Sequence, residues 1–261
     1  MTEKIPSIKN IIVTAPGAYG EKLTRLFQQN NQKALHMPAI ETFVNPNNDD
    51  LLHIIKNIEN YPHIILPSQT AIDAFFLAYK QVNPLKNLQN TAFYAFGKDA
   101  DYLEEKYHYR VHRRSQEPGP NGIVHIFKEL QTKAPVVVIA PKVIGVPEPN
   151  IIPVFIKNLT STGAKVIKIE GYITRTTDIS QYQKAFRLIE KAGPDTLIAF
   201  SSTAEIMSVL KHFNPEHLNR MQTACFGPYT GNNAQKLGLH PVYVGKKYGN
   251  FADFVFGIRH L

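Results

Sequence analysis

Three stretches of the chain end an apolar run in small polar residues and then begin an amphipathic segment. "DTLIAFSSTAEI" puts Ser201, Ser202 and Thr203 after its run, "HIILPSQTAI" puts Ser68, Gln69 and Thr70 there, and "TACFGPYTG" puts Gly227, Pro228, Tyr229 and Thr230 there. A helix that starts at such a point has free backbone N–H groups. With hydroxyls beside them, those groups form a site for a carboxylate or a phosphate. Ser202 and Glu205 have the spacing of a capping box, which marks one of these helix starts. Gly238 reads as the cap that closes the helix after Thr230. Turns of this kind are ordinarily plain caps. What singles these out is that the same device stands at corresponding places in two halves of the chain.

The halves are legible as a repeat. "TAFYAFGKDADYLEEKYHYRV" and "TACFGPYTGNNAQKLGLHPVYV" share an order of Thr-Ala, apolar run, glycine (Gly97 and Gly227), helix-like stretch and second short strand. "PHIILPSQTAIDAFFLAY" matches "PDTLIAFSSTAEIMSVLKHF", and "NIIVTAP" matches "VVVIAP". The offset is roughly 130 residues, about one domain and far beyond a solenoid repeat. Short strands that are apolar throughout alternate with amphipathic helices, which implies parallel sheets covered on both faces. About ten strands are expected, a natural count for two five-stranded sheets. In such sheets ligands bind beyond the carboxyl ends of the strands, where the small polar residues stand.

Composition narrows the function classes. The 261 residues carry a formal charge of +8, which points to an anionic partner. No apolar run is long enough to span a bilayer, and the first residues are not of signal-peptide type. The single cysteine, Cys225, lies in an apolar run and reads as a small buried hydrophobe, in keeping with a reducing, cytoplasmic setting. "APGAYG" lacks the spacing of a nucleotide-binding loop. The ten histidines form no metal-binding pattern; His108, Arg110 and His112 alternate as in an exposed strand, and "YRVHRRS" reads as a solvated basic cluster. No helix-turn-helix or zinc-finger spacing supports nucleic-acid binding. No pair of acidic residues suggests itself as a catalytic pair.

Taken in order, these turns resemble the uroporphyrinogen-III synthase family. The resemblance is carried by "DTLIAFSSTAEI", by the Gly-Pro-x-Thr turn of "TACFGPYTGNNAQKLGL", and by "GAKVIKIEGYITR", whose strand ends in Tyr-x-Thr. It covers nearly the whole chain. "GKDADYLEEKY" and "IAPKVIGVPEPNIIPVFIKNLTSTGAKV" are most similar to the cyanobacterial and plastid-type branch. The resemblance implies an α/β protein of two flavodoxin-like domains with five-stranded parallel sheets, joined by two crossover strands. One domain is expected over residues 1–40 with 176–261, the other over 46–170, with 41–45 and 171–175 as the connections.

The activity that the resemblance implies needs no cofactor. Linear hydroxymethylbilane loses its hydroxyl as water and closes, with inversion of the last pyrrole ring, to uroporphyrinogen III. That is a lyase step of heme and chlorophyll biosynthesis. The implied partner is this polycarboxylate small molecule, with no nucleic acid and no membrane; a cytoplasmic monomer is expected, or a plastid-stromal one in a eukaryote. Tyr172, the tyrosine of Tyr-x-Thr, is implied as the group that helps the hydroxyl depart. Substrate contacts are implied at Ser68, Gln69, Thr70, Gly97, Lys98, Lys142, Thr174, Ser201, Ser202, Thr203, Gly227, Tyr229 and Thr230. The first half departs from the family's pattern. Ala15, Pro16 and Gly17 stand where many members have an arginine, Leu66-Pro67-Ser68 replaces a common Phe-Thr-Ser, and Lys98 and Asp99 stand where small or hydroxyl residues are usual. These departures leave, as the alternative, a tetrapyrrole-binding paralogue without catalysis. A two-lobed solute-binding protein is disfavoured by the missing signal segment.

Overall fold

The computed structural model describes residues 7–82, 88–115, 117, 119–246 and 250–261. The chain divides into two compact units, residues 1–41 with 175–261 and residues 42–174. Its described strands are β1 (Asn10–Val13), β2 (Lys33–His36), β3 (Ile40–Val44), β4 (His63–Leu66), β5 (Ala92–Ala95), β6 (Pro135–Ile144), β7 (Lys165–Thr176), β8 (Thr196–Phe200), β9 (Gln222–Cys225) and β10 (Tyr243–Val244). The helices are α1 (Gly17–Gln29), α2 (Asp49–Lys56), α3 (Gln69–Val82), α4 (Asp99–Tyr107), α5 (Pro120–Leu130), α6 (Ile151–Thr160), α7 (Gln183–Lys191), α8 (Thr203–Val209), α9 (Pro215–Leu218), α10 (Pro228–Lys236) and α11 (Phe251–Arg259).

The strands form two five-stranded sheets, as the apolar runs predict. In the first unit the order is β10-β9-β8-β1-β2, with every neighbouring pair parallel. Taken in the unit's own chain order this is the 2-1-3-4-5 winding, whose strand order reverses between β1 and β8. In the second unit the order is β3-β7-β6-β4-β5, with β4 parallel to both β5 and β6. Here the reversal falls between β4 and β6. The chain passes between units within β3 and within β7, which are sheet neighbours. Residues 41–44 and 171–175 are therefore hydrogen-bonded strand rather than loop.

Each sheet is buried on both faces. In the first unit Ile12, Ile198 and Phe200 pack under α7 and α8, while Ile11, Val13 and Leu197 pack under α1 and α11. In the second, Ile64, Leu66 and Val137 face α2 and α3, and Ile65, Val136 and Val138 face α5 and α6. Alternate residues of one strand thus serve opposite layers, which is why the strands read as unbroken apolar runs. Helix starts follow the caps written in the sequence. Asn48 accepts the Leu51 N–H at 2.9 Å, and Asn250 with Asp253 forms a full capping box. Gly238, at φ +84°, follows α10 in the left-handed conformation that closes a helix, a role open chiefly to glycine.

One local expectation needs correction. His108, Arg110 and His112 are not in a strand: His108 caps α4 at φ +61°, and only Val111 makes a single bridge, to Phe93. The chain there is held by the packing of Tyr109 on Phe76 and Phe93 rather than by a ladder. Lys142 lies within β6, which continues to Ile144, and Tyr172 lies in β7, which carries the Tyr-x-Thr residues and ends at Thr176.

Because each unit has its own core, damage to one should stay local. Phe75, fully buried against Phe76 and Phe93, is expected to cost about 4 kcal/mol when cut to alanine. Hydrogen exchange should then quicken at β4 and β5 and be unchanged at Ile198 and Phe200. Equal loss of protection in both sheets would refute separate cores.

Candidate functional site

The carboxyl end of the second sheet brings together groups that the sequence keeps far apart. β4 ends at Leu66, Pro67 stops the ladder, and Ser68 immediately precedes α3. Ser68 Oγ accepts the Ala71 N–H at 3.1 Å and so caps the helix, and its hydroxyl donates to the Tyr172 phenol oxygen at 3.1 Å. Tyr172 reaches this point from β7 and is buried among the residues under α2 and α3. Burial pushes its phenol up to about 12; the Ser68 bond opposes this and the nearby Asp99 charge adds to it. The phenol therefore keeps its proton at neutral pH. It can donate a hydrogen bond, but it is a very weak acid.

Asp99 is the group that sequence reasoning missed as a site residue. It is the first residue of α4, directly after Gly97 and Lys98. Gly97 takes φ +45°, which a side chain would resist, and this turns the chain from β5 into the helix. The Asp99 carboxyl is hydrogen-bonded to Gln69, the first residue of α3. A helix start favours the charged form, yet burial outweighs this, and the carboxyl is raised to about 6. Gln69, Gly97 and Lys98 around it are exposed, so the group is partly covered but reachable. The only signal in the sequence was that an acidic residue stands where hydroxyls are usual.

Beside this cluster lies a cavity of about 310 Å³, lined among others by Pro67, Phe96, Val138, Ala140, Phe155 and Tyr172. It opens between the ends of β4 and β6, where the strand order reverses. That is the place where doubly wound sheets bind ligands. Its walls are apolar and aromatic, and Tyr172 supplies a polar atom, the composition of a small-molecule site.

The corresponding reversal in the first unit is filled from within. Glu205 is fully buried on α8. Its carboxylate accepts the Ser201 N–H at 2.8 Å, the Ser202 hydroxyl at 3.0 Å, the Ser201 hydroxyl, and the Thr14 hydroxyl at 2.8 Å. Thr14 lies just past β1, and its single proton is shared with the Ala199 carbonyl at 3.0 Å. Burial raises the Glu205 carboxyl, and these donors pull it back. The capping box expected from Ser202 and Glu205 is only half present. Ser202 Oγ accepts the Glu205 N–H at 3.4 Å, but the glutamate takes the N–H of Ser201 instead of that of Ser202.

The other sequence-predicted residues are placed as follows. Thr203 is buried, and its hydroxyl has no partner among the described residues. Thr230 is buried with its hydroxyl 3.2 Å from the Ser201 carbonyl, which ties the starts of α8 and α10 together. Gly227 caps α10 in extended backbone, and Tyr229 is exposed on its first turn. Thr174 is buried beside Thr42, with 3.2 Å between their hydroxyls. Thr70 is half-buried in the first turn of α3, and Lys142 is exposed near the end of β6. Cys225 is fully buried, its thiol pushed up to about 12 by burial and by the Glu205 charge. Among the described residues no three His, Cys, Asp or Glu side chains gather as metal ligands, and no helix is long and apolar enough to cross a membrane.

Comparison with known proteins extends this picture. The model of the family described as Uroporphyrinogen-III synthase HemD matches residues 21–252. A mutant uroporphyrinogen III synthase of Thermus thermophilus superposes with a TM-score of 0.65 at 15% identity, covering 96% of this chain and 97% of that one. The uroporphyrinogen-III synthetase of Helicobacter pylori does so with a TM-score of 0.58 at 16% identity, covering 97% and 100%. At these identities the two likenesses establish the fold alone. No curated protein matches by sequence.

Two stability measurements test the electrostatics described. Glu205→Leu leaves buried donors unpaired and should cost about 3 kcal/mol, with Glu205→Gln less harmful; equal stability of the leucine variant would contradict the network. Asp99 has a folded value of about 6 against an unfolded 3.8. Its contribution is therefore whole below pH 4 and lost as pH rises through 6. Asp99→Asn should match the parent near pH 4 and exceed it by on the order of 2 kcal/mol at pH 8. A constant difference across that range would show that Asp99 is not raised.

Proposed function

Because the chain belongs to the uroporphyrinogen-III synthase family, we propose that it closes hydroxymethylbilane to uroporphyrinogen III. The observation that carries this reading is the family match over residues 21–252, which runs through both units. The charge of +8 suits a substrate ringed with acetate and propionate groups.

The reaction asks little of the protein in the way of strong chemistry. The hydroxyl must leave as water, a cation on the methylene carbon must survive long enough to be attacked, and the last ring must enter inverted through a spiro intermediate. No cofactor is called for. The apolar cavity between β4 and β6 can take a pyrrole ring against Phe96, Phe155 and the Tyr172 ring, out of reach of bulk water. Tyr172 then offers its O–H to the departing hydroxyl, with Ser68 holding the phenol in place. Its raised pKa suits a hydrogen-bond donor that remains neutral.

Carboxylates of the substrate are held by backbone N–H groups at the starts of α3 and α4, near Ser68, Gln69, Thr70, Gly97 and Lys98. Lys142 adds an exposed positive charge at the end of β6. Thr174 contributes by bracing Thr42 beside it. Ser201, Ser202 and Thr203 act differently from a direct grip: the start of α8 already holds the Glu205 carboxylate, so these residues shape the turn.

The direct test supplies hydroxymethylbilane and resolves the product isomers, since uncatalysed closure gives the uninverted type I compound. The expected product is type III. A protein that binds the type III product yet leaves the isomer ratio at its uncatalysed value would be a carrier, not a catalyst. Tyr172→Phe keeps the ring and loses the O–H; it should lower the type III rate at least tenfold, or about 1.4 kcal/mol of transition-state stabilisation. An unchanged rate would reduce Tyr172 to packing.

A further inference from the structure

We infer that Ser68 is a positioning residue of this site: the hydrogen bond it donates to the Tyr172 oxygen sets the direction of the phenol proton and supports the charge that grows on that oxygen as the substrate hydroxyl departs. The inference rests on the reaction proposed above and adds what makes a weak phenol effective in it.

A serine hydroxyl has one proton and two lone pairs. At Ser68 one lone pair accepts the Ala71 N–H at 3.1 Å, and the proton goes to the Tyr172 oxygen, also at 3.1 Å. Ala71 lies in the first turn of α3, so the hydroxyl is tied to a helix and its proton is aimed. Tyr172 comes from β7, 104 residues away in the chain, and is only 7% exposed. A phenol proton lies near the plane of its ring, to one side of the oxygen or the other. The Ser68 proton approaches that oxygen and leaves the Tyr172 proton to point away from Ser68. Among the described residues nothing accepts it. A buried donor without an acceptor is costly. Tyr172 also lines the apolar cavity, together with Pro67 and Phe155. The acceptor that completes the phenol is therefore an oxygen of a ligand in that cavity.

The same bond acts on the chemistry of the phenol. Burial raises Tyr172, and the Ser68 hydrogen bond is the contact that works against this. A donor aimed at an oxygen stabilises negative charge on it. As the substrate hydroxyl draws on the Tyr172 proton, the charge left on the phenol oxygen is met by Ser68. Ser68 keeps its own proton throughout, and none of its bonds is made or broken. Its other task, capping α3, needs an acceptor and no donor. Substitution can therefore separate the two tasks.

The test supplies hydroxymethylbilane to the parent, Ser68→Ala, Ser68→Asp and Ser68→Thr and scores the type III isomer. Ser68→Asp keeps an oxygen that caps the helix but has no hydroxyl proton to give, and Ser68→Thr keeps both functions. Ser68→Ala and Ser68→Asp should each lower kcat about fivefold or more and change KM less than about threefold, whereas Ser68→Thr should keep kcat within about threefold of the parent. With Tyr172→Phe already present, Ser68→Ala should change kcat less than about twofold, because Ser68 acts through the phenol. Carbon-13 NMR of protein labelled at the tyrosine Cζ gives a reading independent of turnover. The resonance that Tyr172→Phe removes should move in Ser68→Ala and Ser68→Asp and hold its place in Ser68→Thr. If that resonance is the same in Ser68→Ala as in the parent, the inference is overturned whatever the chain catalyses. If Ser68→Asp keeps the full kcat, or if the losses from Ser68→Ala and Tyr172→Phe multiply, Ser68 is a helix cap alone and the proposed activity stands without it. If the parent makes no type III product above the uncatalysed level, the proposed activity fails and this inference with it.

Discussion

A parallel sheet covered on both faces leaves only the ends of its strands for polar chemistry, and everything functional in this chain follows from that constraint. The strands spend their N–H and C=O groups on one another, and their side chains are apolar on both sides. At the carboxyl ends the chain must turn into a helix whose first N–H groups need partners. Where the strand order reverses, two such ends diverge and a crevice opens. The protein has two of these crevices, and it resolves them in opposite ways. Between β1 and β8 it inserts its own carboxylate, Glu205, which takes up the donors of Thr14, Ser201 and Ser202. Between β4 and β6 the corresponding space is an apolar cavity that Tyr172 lines, its buried phenol hydrogen-bonded to Ser68.

The repeat in the sequence therefore marks a common frame and not a common task. Ser202 and Ser68 stand at matching helix starts and both cap them. Ser202 turns its hydroxyl to a glutamate of its own helix, Ser68 to a tyrosine from a distant strand. The difference is written in Glu205 on one side and in Tyr172 and Asp99 on the other. The duplicated fold thus closes one strand end with its own carboxylate and leaves the other as an apolar cavity.

Much of this was legible beforehand. The unbroken apolar runs gave the strands, their alternation with amphipathic stretches gave two five-stranded sheets, and Gly238 and the residues after each strand gave helix ends. Tyr172 could be singled out from its Tyr-x-Thr setting. What local pattern could not give was where a polar side chain would find its partner. The Ser-x-x-Glu spacing at Ser202 was right about the cap and silent about Thr14, 191 residues from Glu205. Asp99 carried no local sign of its raised carboxyl, because its environment comes from the burial that the fold imposes and from Gln69. The basic run at His108 to His112 alternated like a strand, but tyrosine packing holds it outside any ladder.

The central claim is that the second unit's strand ends are the reactive ones while Glu205 closes those of the first. Amide chemical shifts followed on addition of uroporphyrinogen III test it most directly. The account predicts the largest changes at Ser68, Gln69, Gly97, Lys98 and Asp99, with Ser201, Ser202 and Glu205 little moved. Saturable binding that shifts the turn at Ser201 to Glu205 and leaves Ser68 to Thr70 and Gly97 to Asp99 unchanged would contradict it.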